Sequence, residues 1–278
     1  MHTIVLEGGL GNQLFMIFAV LGHALKYNIP FYFEDTDIRQ GSRRKTYWDS
    51  LFEPLTKFIK KENPQGSYVY REPAFHYNEI PPFPGDVHVK FIGYFQSYKY
   101  FHENKSTIFK LMNLEKFKKQ VREKIVGVKN WNTTVSMHFR RGDYKTIQQY
   151  HPVLPIEYYK HALTNLQYNN KVSWTILYFC EDEDMDSVTE TVSELSRTFP
   201  LMTFQRREGV TEDWEEIIAM SLCRHNIIAN SSFSYFGAYL NTREDVQVYF
   251  PSVWLGPALS SKDTKDMCPP NWIKVVII

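Results

Sequence analysis

Thr3-Ile4-Val5-Leu6-Glu7-Gly8-Gly9-Leu10-Gly11-Asn12-Gln13-Leu14-Phe15 decides the reading of the chain. Residues 3–6 are apolar and short, as in a buried strand, and Glu7–Asn12 is a glycine-rich turn. Leu14, Phe15, Phe18, Leu21 and Leu25 then recur at helical spacing until Asn28 and Pro30 stop them. Phe31-Tyr32-Phe33 reads as the next strand. Strand, turn, helix, strand is the opening unit of an α/β fold on a parallel sheet.

The same alternation recurs after a break near Gly127–Asn132. Strands are expected at residues 134–139, 174–179, 202–205 and 225–229, and helices at 156–167, 185–197, 215–223 and from Tyr235. In the first half, Val87–Gly93 reads as a strand. Leu111, Leu114, Phe117, Val121 and Ile125 mark one amphipathic helix with Lys116, Lys118, Lys119, Arg122 and Lys124 on its solvated face. Residues 39–90, with Arg43-Arg44-Lys45 and a proline-rich segment near Pro81, give no clear pattern. The expectation is two Rossmann-like domains, 1–130 and 131–278, facing a cleft with ligands beyond the carboxyl ends of the strands.

Composition narrows the function classes. The 278 residues carry 32 basic and 31 acidic side chains, a net charge of +1, which gives no general attraction to nucleic acid or anionic membrane. Any bound anion must be held locally. Cys180, Cys223 and Cys268 form no CxxC pair, so no zinc site is expected and a reducing compartment is. Neither a secretory signal nor an apolar run long enough to span a membrane is visible, so a cytoplasmic location is expected.

Three segments carry chemistry. The first turn fails the dinucleotide fingerprint, because Leu14 stands where the third glycine belongs, and it has no Walker lysine. It remains a turn that lets backbone approach a ligand and sets Asn12 and Gln13 at a helix start, or else a helix cap that meets no ligand. The second segment is His138-Phe139-Arg140-Arg141-Gly142-Asp143-Tyr144. On a strand, His138 and Arg140 share a face, and two guanidinium groups beside an imidazole make a local anion site suited to a diphosphate. Asp143 would orient an arginine or accept a proton, and a purely structural Arg–Asp pair is the alternative. Arg141-Gly142-Asp143 also spells an adhesion tripeptide, but that role needs an exposed loop in a secreted protein. The third segment, Asn230-Ser231-Ser232-Phe233-Ser234, joins an apolar strand to a helix and offers hydroxyls and N–H groups at its N-terminus. A capping box alone would account for Ser234.

Together these segments resemble the α-1,2-fucosyltransferases of glycosyltransferase family 11. Gly8 to Phe15 is similar to that family's Gly-Gly-Leu-Gly-Asn-Gln-Leu-Phe, and residues 138–144 to its His-x-Arg-Arg-Gly-Asp-Tyr. The stretch from Asn230 resembles its Asn-Ser-Ser-Phe-Ser-Trp-Trp-Gly, with Tyr235 and Phe236 in place of the tryptophans. Gly93–Ser97 and Pro155–Tyr159 resemble further segments. The resemblance implies a GT-B fold and inverting transfer of L-fucose from GDP-fucose to a galactoside hydroxyl of a glycan, without a metal or other cofactor. It implies that Arg140 neutralises the leaving diphosphate and that His138, Arg141, Ser232, Phe233 and Ser234 help hold the donor. Phe179-Cys180-Glu181-Asp182 resembles a Phe-Ser-Asp-Asp turn, and Asp182 is the acid expected to reach guanine or ribose. Asp143 is the candidate base, with Gly11, Asn12 and Gln13 expected to position fucose or acceptor. A fucosyltransferase of another linkage and a non-catalytic nucleotide-sugar binder are the competing readings.

Overall fold

The computed structural model describes residues 1–34, 45–60, 66–169 and 172–277. Arg43 and Arg44 of the basic stretch lie outside these. The chain divides into two compact units, Met1–Phe117 with Lys262–Pro269, and Lys118–Ser261 with Pro270–Ile278. Residues 118–130 are thus grouped with the second unit. Two α/β units on parallel sheets are what the GT-B expectation requires.

In unit 1, β1 (His2–Ile4) leads through the glycine turn into α1 (Leu10–Tyr27). There follow β2 (Phe33–Glu34), β3 (Ile59–Lys60), β4 (Tyr68–Arg71), β5 (Val89–Ile92) and α2 (Lys105–Leu111). One parallel sheet has the order β1-β5-β4; the parallel pair β2-β3 adjoins it through a bridge between His2 and Phe31. Helix α1 is buried at nearly every position from Leu10 to Ala24, beyond the single face that its periodicity marks. One reason is Gly22, where a Cβ would lie 2.2 Å from the Tyr100 carbonyl oxygen, so backbone crosses the helix there at contact distance. Asn28 ends the helix in the left-handed conformation, φ 52°, with its N–H turned back to the Ala24 and Leu25 carbonyls.

The single helix expected near residues 111–125 is two, α2 and α3 (Leu114–Lys124), broken where Asn113 adopts φ 52°. Leu111, Leu114 and Phe117 keep helical spacing across the break, so periodicity does not reveal it. Lys118 is also not on a solvated face. It is buried, and its Nζ donates to Thr242 Oγ1 at 2.9 Å.

Unit 2 continues through β6 (Thr134–His138), α4 (Ile156–Asn169), β7 (Thr175–Phe179), α5 (Met185–Thr198) and β8 (Thr203–Arg206). It closes with α6 (Asp213–Leu222), β9 (His225–Ile227), α7 (Ser232–Tyr239), β10 (Val248–Pro251) and β11 (Ile273–Val275). The sheet is parallel throughout, in the order β11-β10-β9-β6-β7-β8. From β6 the chain winds outward through β7 and β8, then returns to the other side of β6 for β9, β10 and β11. The strand order therefore reverses between β6 and β9. A doubly wound sheet opens a crevice at the carboxyl ends of its strands at this switch point.

Apolar side chains of β6, β7, α4 and α5 (Val135, Met137, Ile176, Tyr158, Leu163, Val188) fill one face of this sheet. A closed polar network lies in the same unit. Asn226 donates to Ser136 Oγ at 2.7 Å and to the Met220 carbonyl at 2.8 Å, and accepts from Asn241 Nδ2 at 3.0 Å. Asn226 and Asn241 are both buried, so the network ties β6, α6, β9 and the end of α7 in one register. Helix α7 packs against α6 through Gly237, where a Cβ would meet the Met220 side chain at 2.7 Å.

Candidate active site

Unit 2 gathers the second and third sequence segments at its switch point. The loop after β6 carries Arg140 to Tyr144, and the loop after β9 leads into α7. They touch in two places. The His138 ring lies 5.5 Å from that of Phe233, in the first turn of α7, and the Tyr144 hydroxyl donates to the Asn230 carbonyl at 3.2 Å. Ser231, not Ser234, caps α7, its hydroxyl accepting from Phe233 N–H at 3.3 Å. The helix starts three residues before Tyr235 for that reason. Ser234 is fully buried with its hydroxyl bound to the backbone of Ala229 and Ser231. Ser232 and Phe233 are half-buried at the helix start.

Arg140 is the hub. Its Nη1 is paired with Glu181 and its Nη2 with Asp143, and its guanidinium lies 5.0 Å from the centre of the Tyr144 ring. His151 stacks on Tyr144 at 4.9 Å and 23°. Arg141 is used differently. Its Nη2 donates to Thr191 Oγ1 of α5 at 2.6 Å, and its guanidinium lies 5.8 Å from the Phe139 ring. The expected pair of free guanidinium groups is thus one arginine held by carboxylates and one anchored to a helix. With Arg141 so engaged, the Arg-Gly-Asp tripeptide is folded into the loop after β6.

His138 does not add charge to this site. It is buried, and burial together with the adjacent Arg140 pushes its imidazole down to about 3. Its Nδ1 has no hydrogen-bond partner among the described residues. A neutral imidazole packs against Phe233, with its Nδ1 buried.

The acidic turn after β7 splits into three roles. Glu181 reaches Arg140. Asp182, largely exposed, pairs with Arg206 at 2.5 Å and Arg207 at 3.8 Å at the end of β8. Asp184 is buried, accepts from Gly142 N–H at 2.7 Å and pairs with Lys145 Nζ at 2.6 Å, pinning the Arg-Gly-Asp turn from below. Its carboxyl is held below the ordinary carboxylate range by Lys145 and the Gly142 N–H, which outweigh the larger single effect of burial. The sequence does not single out Tyr144, Lys145 or Asp184, and it offers Glu181 only as the second choice to Asp182 for the nucleoside contact. Their signal was adjacency to the Arg-Arg-Gly-Asp motif and to the acidic turn, but which acid faces which cation is a tertiary fact. Among the described residues, no group of three or more His, Cys, Asp and Glu is placed to hold a metal ion.

Unit 1 holds the glycine turn. Gly8 has φ 73° and Gly9 is the N-cap of α1, which has no side-chain cap. Gln13 is buried, its Nε2 donating to the carbonyls of Gly8 and Lys45, both at 2.9 Å. It braces the turn. Gly11 is buried in the first turn of α1, while Asn12 is half-buried and its Oδ1 accepts from Gln96 Nε2 at 2.9 Å. Gln96 follows a strained corner. Phe95 is buried at φ 52°, Gly93 at φ 149°, and one oxygen of Glu72 accepts from the N–H groups of Tyr94 (2.8 Å) and Phe95 (3.0 Å). A Cβ on Gly93 would fall 2.4 Å from Glu72 Cβ, so only glycine lets the carboxylate close on this corner.

Residues 61–276 match the family Glycosyl transferase family 11. The chain belongs to that family. The glycine turn of this family 11 enzyme precedes the matched span. The O-antigen biosynthesis glycosyltransferase WbnK of Escherichia coli is 27% identical, over 97% of this chain and 99% of that one. An alpha-1,2-colitosyltransferase of Escherichia coli is 27% identical over 67% of this chain and 62% of its own length. A galactoside 2-alpha-L-fucosyltransferase of Caenorhabditis elegans is 31% identical over 52% and 42%. Among solved structures, Escherichia coli ADP-heptose LPS heptosyltransferase II is 10% identical with a TM-score of 0.48, covering 100% of this chain and 90% of that one. A mutant of Arabidopsis thaliana FUT1 in complex with GDP is 11% identical with a TM-score of 0.47, covering 90% and 70%. The family 11 chain is therefore a fucosyltransferase-like glycosyltransferase, and no helix among its described residues is long and apolar enough to cross a membrane.

Proposed function

We propose that this enzyme transfers L-fucose from GDP-fucose, with inversion, to a galactoside hydroxyl of a glycan, forming an α-1,2 linkage without a metal. The observation that carries the reading is Arg140, at the switch point of a doubly wound sheet and over Tyr144, whose hydroxyl reaches the Asn230 carbonyl just before α7. A guanidinium and the N-terminus of a helix are complementary to a diphosphate, and both act on charge that builds up as GDP departs.

In this reading the acceptor oxygen attacks the anomeric carbon as the bond to the β-phosphate oxygen breaks, through a transition state with oxocarbenium character. Arg140 neutralises the leaving phosphate, with the first turn of α7 at Ser232 and Phe233 as its partner. Asp143, whose side chain is 54% exposed, takes the proton from the acceptor hydroxyl after turning away from its pairing with Arg140. His138 acts as a neutral ring that packs Phe233 at the start of α7. Ser234 supports the backbone of this turn instead of touching donor, and Arg141 acts through the loop that it anchors. In unit 1, Asn12 accepts from Gln96 on the glycine turn that Gln13 braces, the place where the family resemblance expects a sugar contact.

The relative named as an alpha-1,2-colitosyltransferase favours a second reading, in which the donor sugar is colitose. The test measures GDP release with a β-galactoside acceptor and EDTA present, for GDP-fucose and GDP-colitose separately, in wild type and Arg140→Ala. Acceptor-dependent release from GDP-fucose that survives EDTA and collapses in the variant is expected, followed by product linkage analysis. Release from GDP-colitose alone would move the assignment to the second donor, and donor binding without release would make the protein a binder.

A further inference from the structure

Glu181 is the acid that the donor reading leaves unexplained. It stands one residue before the expected nucleoside contact, yet its carboxylate sits on Arg140. We propose that Glu181 is an internal stand-in for the donor diphosphate, competing with it for Arg140 and so setting how tightly the donor binds. The proposal rests on the assignment of Arg140 to that diphosphate.

Three observations carry it. First, the two terminal nitrogens of Arg140 are taken by different carboxylates, Glu181 and Asp143, while the side chain is only 15% exposed. A diphosphate seeks the same charge and the same donor fork, so it competes with these carboxylates for the guanidinium. Second, the turn is shaped to admit Glu181. Gly142 has φ 26°, and a Cβ there would lie 2.2 Å from Glu181 Oε2, so the glycine of the Arg-Gly-Asp tripeptide is what opens the space over the arginine. Third, the parts differ in freedom. The turn is pinned by the buried Asp184 through Gly142 N–H and Lys145, whereas the Glu181 side chain is 42% exposed and opens to solvent. The arginine and its loop hold still while the carboxylate swings away.

The sign of the effect separates this role from the obvious alternative. A glutamate that touched ribose or guanine would weaken binding when neutralised, whereas a competitor strengthens it. Calorimetry on the full-length protein would compare GDP and inorganic pyrophosphate in wild type and Glu181→Gln, with guanosine followed by ligand-observed NMR and thermal melts as the folding control. Since the Glu181 end of the pair is open to solvent, the pair is weak, and GDP and pyrophosphate should tighten about two- to fivefold in the variant. Guanosine should be unchanged. Weaker binding of both GDP and guanosine would overturn the proposal in favour of a nucleoside contact, and unchanged pyrophosphate affinity would overturn it outright. Arg140→Ala isolates the underlying reading. If wild type binds GDP and this variant binds it equally well, the diphosphate is elsewhere and the donor assignment fails with the proposal.

Discussion

His138 offers a prediction that can be worked from burial to a number. The unfolded imidazole takes a proton near 6.5, whereas the folded one resists until about 3, because a charged ring would lose its hydration and face Arg140. Between those values the unfolded chain binds the proton and the folded chain does not, so stability is full above about pH 6.5 and is lost as pH falls toward 3. Linkage gives the size. From pH 7 to pH 5 this one histidine should cost about 2 kcal/mol of folding free energy. Replacement by phenylalanine, which keeps a ring against Phe233, removes the titration. Urea unfolding of wild type and His138→Phe at both pH values isolates the effect, since other titrating groups cancel in the difference. Histidine-labelled NMR adds a direct readout, with the His138 signal expected to stay at its neutral position from pH 8 to pH 5. Equal acid sensitivity of the two proteins, or a His138 signal titrating near 6.5, would refute the reasoning. A functional corollary is that GDP affinity should show no histidine titration lost in His138→Phe between pH 6 and 8.

Glu72→Ala leaves two N–H groups at a left-handed phenylalanine without their acceptor and should cost about 2–4 kcal/mol. Glu72→Gln, which keeps an acceptor oxygen, should cost much less; chemical denaturation distinguishes them. Gly93→Ala should fail in the same corner, because its Cβ would overlap Glu72, and equal stability to wild type would refute that account. Asn226→Leu breaks a closed buried network, removing the partner of Ser136 Oγ and one of two acceptors of Asn241 Nδ2, for an expected loss of about 3 kcal/mol in denaturant unfolding. Tyr235→Trp, which restores a family tryptophan, should cost about 1–3 kcal/mol by overpacking, because Tyr235 is fully buried with Trp272 only 4.9 Å from its ring. A more stable variant would show that the space is not full.

What the sequence by itself determined was the alternation of strands and helices and the location of the chemistry. Short-range signals suffice for both. Apolar runs, turn glycines and a stop at Asn28-Pro30 are local, and the Arg-Arg-Gly-Asp and Asn-Ser-Ser-Phe-Ser segments are contiguous in the chain. Even locally, the signal failed where one periodic face runs through the Asn113 break and where Lys118 shares a helical spacing with solvated lysines. Only the tertiary structure decided which partners those residues take. Strand order comes from pairings between segments far apart in sequence, and it is that order which sets β6 beside β9 and brings His138 to Phe233. The same distance rule separated neighbours that look alike in the chain. Arg140 meets Glu181 while Arg141 meets Thr191, and Ser231 caps a helix whose Ser234 is buried. A side chain's identity fixes what chemistry it can do, but its partner depends on contacts between elements that local sequence does not encode.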